Sequence, residues 1–96
     1  MGVGGATVKV LLPQALGRDF GLKGPVSVSG ATLGEAIKDL DRRAAGLSSA
    51  LLDDQGKVRR NVIVFVNRKA VTHLDPDEVR LEAGDTVHVL PHVAGG

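Results

Sequence analysis

The sequence ends in LPHVAGG, and its last two residues are Gly95 and Gly96. A carboxylate on a residue without a side chain is sterically open. Both glycines can reach backbone angles closed to other residues. Such a tip fits a narrow channel and leaves its terminal carbonyl open to attack. The carboxylate has a pKa of roughly 3.5, so it is ionised near neutral pH and is a poor electrophile. Chemistry at Gly96 therefore needs activation by another enzyme, most simply as an acyl adenylate made with ATP. Residues 92–96 span roughly 16–18 Å when extended. That reach enters a partner's active site while the domain stays outside. The competing reading is a frayed end, because termini are often disordered. The chain has 13 glycines, so a terminal pair means more in context than alone.

Other chemistry is sparse. Cysteine is absent, which excludes disulfides, thiol catalysis and cysteine-based metal sites. The histidines His73, His88 and His92 sit apart, and without cysteine they make no zinc site. His88 alternates with valines and reads as a sheet residue. No glycine-rich dinucleotide loop, Walker lysine motif or EF-hand spacing occurs. The chain does not read as a stand-alone enzyme.

The totals narrow the partners. The net charge is +1, and the one basic run, KVRR with Lys57, Arg59 and Arg60, reads as a solvated loop. Phe20 and Phe65 are the sole aromatics, too few for a base-stacking platform. Neither nucleic acid nor membrane is an expected partner. No stretch reads as a membrane span or signal peptide, and MGVGGA has Ala6 where a myristoylation signal has Ser or Thr. The expected location is the cytoplasm.

The elements that must position the tail follow from periodicity. MGVGG reads as a flexible lead-in. ATVKVLLP alternates Val8 and Val10 against Thr7 and Lys9, a strand ended by Pro13. QALGRDFGLKG, with three glycines, reads as a loop. PVSVSG reads as a second strand that forms a hairpin with the first. Thr32 and Glu35 then make a capping box. Leu33, Ala36, Ile37, Leu40 and Ala44 form one helical stripe, with Gly46 suited to the C′ position. LSSALLD reads as a further turn that adds Leu47, Leu51 and Leu52 to the core. NVIVFV reads as a strand covered on both faces. AVTHL reads as a short return strand, and DPDEVRLEAGD as polar turns. TVHVLP is the last strand, with Val87 and Val89 opposite Thr86, His88 and Leu90.

Two strands, one helix and two or three more strands predict an α+β domain. Its mixed sheet carries one main helix on one face, the β-grasp or ubiquitin-like fold. A single domain is expected over residues 1–96, with a flexible tail at 92–96. One helix covers one sheet face, so Val62, Val64 and Val66 or Ile63 and Phe65 must face away from it. Either a loop covers that second set or it is an exposed patch for a partner.

Over nearly its whole length the chain resembles the ubiquitin-like sulfur carriers of the MoaD/ThiS type. The resemblance runs from VKVLLP through TLGEAIKDL and VIVFVN to GDTVHVLPHVAGG. The long AAGLSSALLDDQGKVRRNV segment and the PHVAGG end most resemble the branch serving cysteine biosynthesis. The resemblance implies that a ubiquitin-activating-type enzyme adenylates Gly96, and that sulfur then displaces AMP to leave a thiocarboxylate. A pyridoxal phosphate enzyme would present the acceptor, and a zinc peptidase would release cysteine. The carrier itself would bind no cofactor or metal and would be monomeric when free. Gly95 and Gly96 would be the working residues. Ala94, Val93, His92, Leu90, His88, Phe65 and Val64 would meet the partners.

Rival readings share the tail. These are the small subunit of molybdopterin synthase, a carrier for a sulfur-containing secondary metabolite, and a protein modifier that forms isopeptide bonds. A β-grasp module without covalent chemistry would instead bind through a strand edge or sheet face.

Overall fold

Valines at alternate positions build the sheet. In β1 (Ala6–Leu11), Val8 and Val10 are buried while Thr7 and Lys9 are exposed. In β2 (Val26–Gly30), Val28 is buried between the exposed Ser27 and Ser29. Period-two alternation turns one face of each strand to the core. The computed structural model describes residues 6–92. The expected lead-in MGVGG and the tail residues Val93, Ala94, Gly95 and Gly96 lie outside the described residues.

Three further strands complete the sheet: β3 (Val62–Val66), β4 (Lys69–Ala70) and β5 (Thr86–Pro91). The order is β2-β1-β5-β3-β4. The β1–β2 pair is the expected antiparallel hairpin, with Ala6 opposite Gly30 and Val10 opposite Val26. β5 runs parallel to β1, with Leu11 opposite His88, and antiparallel to β3, with Phe65 opposite His88. A parallel return to β1 demands a crossover. The helix α2 (Leu33–Arg43) begins it, carrying the chain from β2 on one side of the β1–β5 pair towards β3 on the other.

That helix forms as its sequence demands. Leu33, Ala36, Ile37 and Leu40 are all buried. Thr32 Oγ1 accepts from the Glu35 N–H at 3.2 Å, and Glu35 Oε1 accepts from the Ala31 N–H at 2.8 Å. The return bond of the capping box thus lands one residue before the cap. The helix lies so close to β2 that a Cβ on Gly30 would meet the Ala36 backbone nitrogen at 2.5 Å. Asp39 reaches back from α2 and accepts the Ser29 N–H at 2.9 Å, which closes part of the outer edge of β2.

Several expectations are corrected. QALGRDFGLKG is not all loop: Gln14–Asp19 form a helix, α1. Pro13 at its N-cap gives a carbonyl to Gly17, and Gly17 is buried where the chain turns back at Leu22. Gly17 within the segment, with Gly21 and Gly24 after it, masked the helix-forming Gln14, Ala15, Leu16 and Arg18. Gly46 is not the C′ residue of α2, whose C-cap is Ala44. It sits at φ 95° as the N-cap of a second short helix, Leu47–Leu51. The short return strand expected over AVTHL is present but begins earlier and stops sooner: β4 is Lys69–Ala70, paired antiparallel with β3, and Val71 to Leu74 lie outside it. Thr72 takes its place with a side chain: Thr72 Oγ1 accepts from the Val64 N–H at 2.9 Å and donates to the Val64 carbonyl at 3.3 Å. The polar DPDEVRLEAGD segment contributes Val79 and Leu81 to the core, where Val79 gives its carbonyl to the Leu33 N–H.

Candidate functional site: the last strand and the sheet face beside it

β5 is the element that delivers the tail. Its start is clamped by Asn67, which among the described residues is the non-glycine one with positive φ, at 57°. Asn67 Oδ1 accepts the Thr86 N–H at 3.0 Å, and Asn67 Nδ2 donates to Asp85 Oδ1 at 3.1 Å. Asn tolerates the left-handed region because its short amide bonds locally. Asp85 also accepts the Glu82 N–H at 2.8 Å. That backbone bond first, and the Asn67 amide second, hold the Asp85 carboxyl below its ordinary pKa. The strand's far end is fixed as well: the His92 N–H donates to the Asn61 carbonyl at 2.9 Å. The last described residue is therefore a hydrogen-bonded root beside the start of β3.

On the face away from α2, the register builds one row across four strands: Leu11, His88, Phe65 and Ala70. Ile63 and Leu90 pair directly in the next row. Phe65, Ile63, Leu11 and His88 are half-buried, and Leu90 is 43% exposed. This settles which set of NVIVFV faces outward. Val62 and Val64 are in the core, so β3 is not covered by an element on both faces. The expectation that Val64 meets a partner is corrected, since Val64 is 2% exposed beneath the helix. Adjacent strand residues point to opposite faces, so Val64 and Phe65 cannot share one surface. Leu90, His88 and Phe65 do share it, and His92 lies just beyond its end. The expected site residues Val93, Ala94, Gly95 and Gly96 lie outside the described residues. Leu11 and Ala70 were not singled out from sequence, because the row appears only once strand register is known.

Nothing in this arrangement resembles a catalytic pocket. Among the described residues no charged side chain is buried. Among them, too, no cluster of three or more His, Cys, Asp or Glu is placed to hold a metal. No helix among them is long and apolar enough to cross a membrane.

A five-stranded 2-1-5-3-4 mixed sheet with a helix across one face and a tail leaving the parallel central strand defines a ubiquitin-like β-grasp protein. The chain belongs to the ThiS family of ubiquitin-like sulfur carriers, whose model matches residues 22–96. It is 38% identical over 91 residues to the sulfur carrier protein CysO of Mycobacterium tuberculosis, covering 93% of this chain and 98% of that protein. It is 41% identical over 66 residues to small archaeal modifier protein 3 of Haloferax volcanii, covering 69% of this chain and 71% of that protein. CysO from an Amycolatopsis orientalis BexX/CysO complex superposes with a TM-score of 0.81 at 36% identity, over 93% of this chain and 99% of that one. The expected fold and family resemblance both hold.

Proposed function

We propose that this chain carries sulfur as a thiocarboxylate on Gly96. The observation that carries the reading is that the family match runs through Gly96. The fixed root at His92 supports it, because the bond to the Asn61 carbonyl holds the last described residue beside the start of β3. One carboxylate oxygen of Gly96 attacks the α-phosphorus of ATP on a ubiquitin-activating-type enzyme, and pyrophosphate leaves. Hydrosulfide, or a persulfide on a donor protein with a reductant, then attacks the carbonyl carbon. The C–O bond breaks and AMP departs, leaving the thiocarboxylate. The enzyme uses ATP, and this chain needs no cofactor of its own. The likeness to CysO favours an acceptor in cysteine biosynthesis: an activated serine derivative held by a pyridoxal phosphate enzyme, with a zinc peptidase releasing cysteine and restoring Gly96. A related CysO solved in complex with BexX supports action through a partner protein. Free carrier is monomeric and works in the cytoplasm.

The same tail serves a second reading, favoured by the match to a small archaeal modifier protein. There the adenylated Gly96 would end on a lysine amine, with AMP leaving and an isopeptide bond forming.

The adenylation step is tested by ATP–pyrophosphate exchange with the adenylating enzyme of the same organism. The full chain supports exchange. A chain with one residue added after Gly96 abolishes it while keeping the same thermal midpoint. Equal exchange by the extended chain would contradict the proposal.

A further inference from the structure

A cleft of about 720 Å³ opens beside the root of the tail. Its floor is apolar, formed in part by Ile63 and Ala70, and its rim carries Arg59, Arg60, His73 and His92. No carboxylate lines it. By sequence alone the KVRR run reads as a solvated loop. The fold instead brings two of its arginines together with two histidines from distant segments.

Three features point to the kind of occupant. The first is charge. Arg59 is committed in part, with its Nε donating to the Ser49 carbonyl at 2.7 Å. Arg60 is exposed and makes no ion pair among the described residues. The second is the backbone. β4 pairs with Phe65 and Val66 alone, and Thr72 closes Val64. At Val62 and Ile63 no strand is paired on that side, and with the Val62 N–H already bonded to the Arg59 carbonyl at 3.1 Å the edge offers an extended segment room to lie rather than a row of free donors. The third is position. His92 is both a wall of the cleft and the bonded root of the tail. A protein that engages the chain at His92 therefore meets one wall of this cleft.

We infer that the cleft receives an extended acidic segment of the enzyme that adenylates Gly96. The inference rests on the thiocarboxylate reading above. Arg60 and His73 meet the segment's carboxylates, Ile63 and Ala70 seat its apolar side chains, and the segment sets the tail's direction of entry. Nucleic acid fits less well, because the floor is apolar and the cleft holds no Phe, Tyr or Trp for stacking.

The test is the steady-state rate of Gly96 charging at low and high salt, with wild type, Arg60→Glu/His73→Glu and Arg68→Glu. Arg60, His73 and Arg68 are all exposed, so each variant folds, as thermal melts check. Arg68→Glu changes an exposed charge outside the cleft. The cleft variant loses about tenfold in kcat/KM at low salt, carried by KM, and the gap narrows at high salt as screening removes the repulsion. Arg68→Glu stays within about twofold of wild type. Wild-type rates for the cleft variant at all salts overturn the inference. So does an equal loss in Arg68→Glu, which makes the effect one of net charge. Faster charging of the cleft variant also overturns it, because the cleft then holds the chain's own tail. Wild type that is never charged overturns the thiocarboxylate reading itself.

Discussion

At the residue scale, one strand holds two neighbours with opposite duties. Val64 packs under the helix, and Phe65 lies in the outward row with His88. Val64→Ala should lower stability by about 2 kcal/mol, the cost of lost methyl burial plus a small cavity, read by urea unfolding. Phe65→Ala should leave stability closer to wild type but reduce charging by the adenylating enzyme about tenfold, as an aromatic anchor of an interface does. Equal effects on both readouts for both variants would mean that the sheet face plays no part in docking. The carboxylates give a pH prediction. The Ser48 backbone N–H first, then the Ser48 hydroxyl and the Gly46 N–H, hold the Asp41 carboxyl below its ordinary value, as the Glu82 N–H and the Asn67 amide do for Asp85. A carboxyl whose pKa is lower folded than unfolded stabilises the fold above the unfolded value, here near 3.8. That contribution is lost as pH falls through the lower folded value. Thermal midpoints should therefore drop in the acid range below about pH 4, and an Asp41→Asn/Asp85→Asn variant should show a shallower drop.

At the element scale, side chains stand in for backbone. Thr72 serves both the N–H and the carbonyl of Val64 where β4 has already ended. Thr72→Val keeps the shape but leaves the Val64 N–H without its acceptor, while the Val64 carbonyl keeps the Val71 N–H at 2.9 Å, and should cost about 1–3 kcal/mol by denaturant unfolding. A loss near zero would mean that water replaces the hydroxyl. The contrast between Thr32 and Thr72 shows what a sequence can disclose. Thr32 was legible as a cap because its partner Glu35 is three residues away. Thr72 was not, because its partner is eight residues away across a turn, and AVTHL looks like a strand by composition alone. Likewise the α2 stripe, the hairpin and the face assignment of β5 follow from local periods of 3.6 and 2. The short α1 was hidden by glycines. Val79 and Leu81 were hidden in a polar segment whose burial depends on where α2 lands. For the candidate site, the diglycine could be read directly. The Leu11–His88–Phe65–Ala70 row and the basic cleft could not, since each joins residues that only strand order and register bring together.

At the scale of the whole molecule, stability and function occupy different parts. The core lies between the valine face of the sheet and α2, while the outward row, the cleft and the chain's exit at His92 are gathered around β5 and the start of β3. The proposed chemistry sits on the Gly96 carbonyl and asks for no reactive side chain, which suits a carrier without cysteine. The central claim is therefore about one atom on one residue. The most direct measurement is the intact mass of the full chain after incubation with ATP, a sulfide source and the adenylating enzyme, beside a chain lacking Gly96. The account predicts that the full chain gains the mass difference between sulfur and oxygen, that the shortened chain gains nothing, and that both melt alike. An unchanged full chain, with an enzyme shown to charge another carrier, would contradict it.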